Sequence, residues 1–430
     1  MNKTQRFFLL AFLINFIYLI ITFIFFYGLK SPLMSRDNND YLTFHNAGLL
    51  AIEDISSLYD SLLYLFPFRY LPLSAYFFTP FSLLGLDVGY FIFQLFNFFL
   101  NFVNLYLIYR IIQLYKNLNK KVNLELNLVK FRDLYTDSKN ESLLHQNAVI
   151  LIMLPQFMNY FLGQINILVL FFILLSLLYL LREGYKNDFL GGLFLGIGIL
   201  FKPTLILVLP FIILLKYNKE HKKITFLFKK SIIRLSGPII LILSSGLYFI
   251  FFPQMLEGFI NVNLGGKYTY NIEGDLNINP SFSLTRIVLI SLELIGLEIN
   301  GFLTFIIITL LIFIPIYILF ILNPDQTNTL FDGYLIGLLV MFIVYFDTWP
   351  HHLVVLAPFL VFFLIIYRDF IFYKIFKYLY YLMAILVVIF WGLFYLTYKI
   401  LPINIGGLIL FIALYITLIM FYRTRLKRDS

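Results

Sequence analysis

The chain has 430 residues, of which 61% are hydrophobic and only 13% charged. A soluble domain carries about 45–50% apolar and about a quarter charged side chains, so this composition excludes a water-soluble fold and fits a chain whose outer surface meets lipid. The formal net charge of +9 sits in short basic stretches between apolar runs, a membrane-topology pattern rather than a nucleic-acid surface, and the lack of cysteine excludes disulfides, thiolate metal sites and cysteine nucleophiles.

A membrane-crossing helix needs about 20 mostly apolar residues, and Lys and Arg collect on its cytoplasmic side. Lys3 and Arg6 place the start inside. Residues 7–28 are too long for a signal-peptide core and no small-residue cleavage site follows, so they form an uncleaved first span. Residues 29–86 make a first extracytoplasmic loop, in which Asp37, Asp40, Glu53, Asp54 and Asp60 outweigh Lys30 and Arg36. Its apolar part, 68–85, is interrupted by Pro72 and Pro80 and is expected in the interface, because a span there would put the basic stretch 113–145 outside. The span 87–112 enters, and Lys116, Lys120, Lys121, Lys130 and Arg132 make 113–145 a cytoplasmic loop.

Two hairpins follow: 146–162 with 165–181, turning at Gly163-Gln164, and 189–201 with 203–215, turning at Lys202-Pro203, both tips outside. The basic stretch 216–234 lies inside. The span 235–252 exits to a second extracytoplasmic loop, 254–300, whose apolar part 284–299 is again expected in the interface. Spans 301–322, 333–347, 353–367, 379–398 and 406–422 then alternate, and the RTRLKR tail is inside. The expectation is an all-α polytopic helical bundle forming a single domain. It has about 12 transmembrane helices, interfacial helices in the first outer loop and both termini cytoplasmic, in a prokaryotic plasma membrane.

This threading sorts the polar residues. The span interiors hold almost no ionisable groups, whereas a transporter places charges near the midplane, often on broken helices. The outer membrane ends carry Asp37, Asp40, His45, Arg69, Tyr70, Gln164, Asn166, Lys202, Asn279, Ser281, Arg286, Asp347, His351 and His352. Asp37 and Asp40 read either as solvated loop acids or as proton acceptors. Lys202 reads as a snorkelling lysine or, fixed beside Pro203, as a rigid cation for an anionic headgroup. Arg286 is an interfacial anchor or a second such cation, and Gln164 and Asn166 cap a hairpin or reach a ligand. His351 and His352, adjacent, point in different directions and do not make a metal site with His45 alone; hydrogen bonds to phosphate or sugar hydroxyls suit them better.

The order of these segments resembles a family. It runs through 40-DYLTFHNAG-48, Leu58-Tyr59, 69-RYLPL-73, Pro80, 163-GQIN-166, 191-GGLFLGIGILFKP-203, 279-NPSFSLTR-286 and 349-WPHH-352. It is similar to the integral membrane mannosyltransferases of glycosyltransferase family 87, in the GT-C superfamily. The resemblance implies a GT-C fold and a polyprenyl-phosphate or dolichyl-phosphate sugar donor, usually of mannose. It implies a glycolipid or glycan acceptor on the extracytoplasmic face, and an acidic catalytic base in the first outer loop. Asp40 is the matching position, with Asp37 as alternative. The family's usual Asn-Gln-Ser-Leu reads Asn279-Pro280-Ser281-Phe282 here.

An inverting transfer needs a carboxylate to take the acceptor proton and fixed donors for the leaving phosphate. Lys202, Arg286, His351 and His352 are the expected phosphate-binding residues, and Arg69, Tyr70, Gln164, Asn166 and Asn279 are expected at the substrate. No metal, cofactor or nucleic acid is expected; the donor lipid, the acceptor and the bilayer are the expected partners. A lipid-linked sugar flippase, and a GT-C enzyme for another sugar, are the competing readings.

Overall fold

In the computed structural model the long apolar runs are helices: α1 (Lys3–Gly28), α2 (Asp40–Glu53), α3 (Ala75–Ser82), α4 (Leu86–Asn119), α5 (Glu141–Ile152), α6 (Leu154–Phe161), α7 (Asn166–Leu180) and α8 (Tyr185–Phe201). A 3-10 turn (Pro203–Val208) and the one-turn α9 (Leu209–Ile212) lead to strands β1 (Leu215–Asn218) and β2 (Lys223–Phe226). Then come α10 (Phe228–Phe251), α11 (Pro253–Asn263), α12 (Leu284–Leu294), α13 (Gly301–Leu322), α14 (Thr329–Val344), α15 (Leu353–Ile366), α16 (Tyr373–Thr397) and α17 (Ile405–Arg428). The structure describes residues 2–28, 39–119, 141–218, 223–263, 281–297, 300–323 and 329–428. Asp37, Asn279 and most of the basic 113–145 stretch lie outside these residues.

Among the described residues, 6 helices are long and apolar enough to cross a membrane, or up to 7 if the bent pair α6–α7 counts as one span. The six are α1, α4, α10, α13, α16 and α17, and they coincide with the spans expected at 7–28, 87–112, 235–252, 301–322, 379–398 and 406–422. The other expected spans fall on shorter or broken helices. Side chains such as Leu243, Ile250 and Phe251 on α10 and Leu311 on α13 are 64–72% exposed, an arrangement that only a lipid environment stabilises. The chain is thus a multi-pass membrane protein. By contrast α14 and α15 are buried almost all round, as expected of helices apolar on every face.

Three local departures have physical causes. The expected span 146–162 is broken at Met153, whose extended backbone (φ -60, ψ 142) precedes Pro155 at the start of α6. The expected span 203–215 is no continuous helix. Pro203 and Pro210 restrict it to a 3-10 turn and α9, and the chain then pairs antiparallel, Leu215 opposite Phe226, in a short two-stranded hairpin within an otherwise all-α bundle. The third is the α6–α7 corner, which bends by 118°; Gly163 takes the left-handed conformation (φ +65) there. The α-helices in the segments expected in the interface are α3 and α12, of 8 and 11 residues, well short of the roughly 20 a crossing needs.

Two polar features hold the bundle. Arg234 of α10 donates through Nε to Asp188 of α8 at 2.7 Å, both side chains buried. It lies where Gly192 and Gly237 let the two backbones touch: a Cβ on Gly192 would stand 2.0 Å from Arg234 O. The second is a stripe of buried amides on α4, Gln94, Asn97, Asn101 and Asn104, spaced three or four apart and so on one face. Gln94, Asn97 and Asn104 donate to the main-chain oxygens of Tyr160, Gln164 and Ile167. A bent helix leaves carbonyls unsatisfied in an apolar surround; α4 supplies the donors.

Candidate active site

The breaks between helices converge on one cleft. Its empty space is about 860 Å³, its open mouth included, and it is lined by Asp40, Thr43, Phe44, Phe66, Pro67, Arg69, Tyr70, Leu162, Gln164, Lys202, Pro203, Thr204, Tyr345, Asp347, Trp349, His351 and His352. These side chains come from α2, the 66–70 loop, the α6–α7 corner, the end of α8 and the 345–352 turn, segments far apart in sequence.

Asp40 is the first residue of α2, and the α6–α7 corner fixes it. Its backbone N–H donates to Leu162 O at 3.1 Å. Asn39 caps the helix, accepting from Tyr41 N at 2.9 Å and donating to Phe161 O at 3.0 Å. Gly163 is required there: a Cβ would stand 2.3 Å from Asn39 Oδ1. Gln164 Nε2 donates to Asp40 Oδ2. Burial pushes the Asp40 carboxyl up to about 7, against the lowering effect of the Gln164 hydrogen bond and of Arg69, with Asp347 raising it further.

Lys202 follows the last turn of α8. Pro203 disfavours helical backbone in the residue before it, and Lys202 leaves the helix at φ -150, ψ 85. The segment is held by Leu71 N donating to Leu200 O at 2.9 Å. Lys202 is 8% exposed, and its ammonium donates to Asn166 Oδ1 at 3.1 Å. Burial pushes its pKa down to about 7, opposed by Asp347. Arg69 pairs with Asp347 at 3.1 Å and reaches Tyr345 Oη at 3.4 Å. Trp349 Nε1 donates to the same Asp347 carboxylate.

His351 and His352 are buried on the cleft wall, and burial together with Lys202 lowers the pKa of both well below the usual histidine range. They are neutral donors at neutral pH. His352 Nδ1 accepts from Trp349 N at 3.2 Å, which assigns its proton to Nε2. The chain's two tryptophans stand together here, Trp349 and Trp391 with ring centroids 6.2 Å apart.

The cleft therefore gathers Asp40, Arg69, Tyr70, Gln164, Lys202, His351 and His352 from the residues singled out in the sequence. Arg286 is not on its lining: it is buried in the first turn of α12, within the field of Asp347. Asn166 is not on it either, and contacts Lys202 instead of the cleft. Ser281 is buried and accepts from Thr348 N at 2.9 Å, tying the 279–286 motif to the 345–352 turn. Tyr345 is a cleft residue that the sequence did not single out, and the pairing of Arg69 with Asp347 was not visible there although both were placed at the outer membrane ends; a polar Tyr-x-Asp-x-Trp run closing an apolar helix is the signal that marks them. Among the described residues no group of three His, Cys, Asp or Glu side chains could hold a metal ion.

A comparison with protein-family models matches residues 68–345 to glycosyltransferase family 87. The matched stretch contains Arg69, Tyr70, Gln164, Lys202 and Tyr345 and stops short of Asp40 on one side and of His351 and His352 on the other. A comparison with curated proteins gives no match.

Proposed function

The chain belongs to glycosyltransferase family 87 and is a membrane glycosyltransferase, and from that premise we propose that the cleft moves mannose from a polyprenyl-phosphate or dolichyl-phosphate donor to a lipid-linked or surface glycan. The cleft faces the extracytoplasmic side of a plasma membrane. The observation that carries this reading is the convergence of one carboxylate poised near neutrality, Asp40, with a buried lysine and two neutral histidines in a single cleft.

In the proposed reaction Asp40 accepts the proton of the acceptor hydroxyl as its oxygen attacks the anomeric carbon. The new carbon–oxygen bond forms on the face opposite the breaking one, so the anomeric configuration inverts. The electron pair of the broken bond leaves on the lipid phosphate, which needs no proton. Lys202 and the His351 and His352 N–H groups meet the charge that grows there. Arg69, locked to Asp347, and Tyr70 line the sugar side, and Trp349 offers a flat surface for a pyranose ring.

Protein in lipid nanodiscs, given polyprenyl-phosphate-mannose and a panel of glycolipid and oligosaccharide acceptors, tests this. The expected result is transfer with inversion of the anomeric centre. Transfer with retention overturns the mechanism. Neither transfer nor binding of any polyprenyl-phosphate sugar overturns the donor assignment.

A further inference from the structure

Lys202 is backed by a chain of side-chain amides. Its Nζ donates to Asn166 Oδ1 at 3.1 Å; Asn166 Nδ2 donates to Asn159 Oδ1 at 3.1 Å; Asn159 Nδ2 donates to the main-chain oxygen of Gln164 at 3.3 Å. All three bonds run in one sense, with each amide carbonyl turned toward the lysine. The chain ends on Gln164, whose side chain donates to Asp40. Asn159 and Asn166 are 0% and 1% exposed, and neither lines the cleft. Gln164 O is held from the other side by Asn97 of α4 at 3.4 Å.

An amide offers a donor edge and an acceptor edge, and an ammonium tolerates only the acceptor. Asn166 therefore has to present its oxygen to Lys202, and Asn159 Oδ1 is the group that fixes it so. Aligned hydrogen bonds polarise one another in a low-dielectric surround. We propose that Asn159 is a positioning residue of the transfer site: through Asn166 it keeps an amide carbonyl on Lys202 and so holds a charged ammonium ready for the leaving phosphate. This rests on the function proposed above.

The charged and titratable groups facing Lys202 are Tyr345, Asp347, His351 and His352 from the turn before α15, and Asp40, Arg69 and Tyr70 across the cleft. The 203–212 segment brings none, and α7 carries only Tyr179, at the end away from Lys202. With that field unchanged, losing the carbonyl contact weakens the protonated form of Lys202.

The test is the pH dependence of kcat/KM for transfer from polyprenyl-phosphate-mannose by wild type, Lys202→Arg, Asn159→Leu and Asn159→Asp. Lys202→Arg, which stays charged, is expected to remove the alkaline limb and so assign it. Asn159→Leu is expected to move that limb to lower pH by about one unit, roughly a tenfold loss above it, with the acid limb in place. Asn159→Asp, nearly isosteric, puts an anion at the end of the chain and is expected to move the limb to higher pH; it decides the matter if the leucine variant does not fold. Variants that lose activity equally at every pH overturn the proposal, since a merely structural residue does that. If Lys202→Arg leaves the wild-type alkaline limb in place, the role of Lys202 itself is wrong and the inference falls with it.

Discussion

Asp40 and Lys202 are brought to the same pH range from opposite directions by the same cause. Burial disfavours a charge, so it raises the carboxyl and lowers the ammonium, each to about 7. A base has to be ionised and a phosphate-binding lysine protonated, so kcat/KM for transfer is expected to rise with pH as Asp40 loses its proton and to fall as Lys202 loses its own. The profile is a narrow bell centred near 7, and the two limbs belong to the pair where the groups interact. A flat profile between pH 5 and 9 would contradict both assignments. Asp347 raises Asp40 and Lys202 alike, so Asp347→Asn is expected to translate the whole bell toward lower pH. A pH–rate series on that variant checks the direction. Burial and Lys202 lower the pKa of His351 and His352 well below the usual histidine range, so neither should contribute to a bell centred near 7.

At the scale of elements, the site depends on a corner more than on any helix. Gly163 carries both a positive φ and an approach of 2.3 Å between its missing Cβ and Asn39 Oδ1. Gly163→Ala is expected to cost about 1–3 kcal/mol and, by shifting Asn39, to reduce transfer by more than the loss of folded protein accounts for; thermal unfolding and kcat on the same sample separate the two. Asn39→Ala should cost about 1 kcal/mol as a lost helix cap. The corner at Gly163-Gln164 and the break at Lys202-Pro203 were legible in the sequence, because glycine and proline punctuate apolar runs. The α4 stripe was not: Gln94, Asn97, Asn101 and Asn104 carry no charge, so a search for ionisable groups inside the spans passes over them, although their spacing marks one face. The 203–215 segment is apolar enough to read as a span, and Pro210 inside it is the signal against one. The Asp188–Arg234 pair was hidden for another reason, since two charges flanking separate expected spans show nothing of their contact until the glycines that join α8 to α10 are placed together.

For the molecule as a whole, hydropathy marks the six long apolar helices, and the polar residues at the outer membrane ends include eight of those lining the cleft, whereas the breaks in the helices that build it leave no hydropathy signal. The proposed orientation has its own test. The chain has no cysteine, so single cysteines report position cleanly. Glu53→Cys, on the exposed end of α2, is expected to react with an impermeant maleimide on intact cells, and Lys229→Cys, exposed at the start of α10, only after permeabilisation. The reverse pattern would put the cleft on the cytoplasmic side. The central claim is that one carboxylate in this cleft takes the acceptor proton, and the most direct measurement is sugar transfer by Asp40→Asn in nanodiscs, beside wild type, with donor binding measured on both. The account predicts that the variant folds and binds the donor but transfers at least about a hundredfold more slowly, the share general-base catalysis commonly supplies. Transfer at the wild-type rate by a folded Asp40→Asn protein would contradict it.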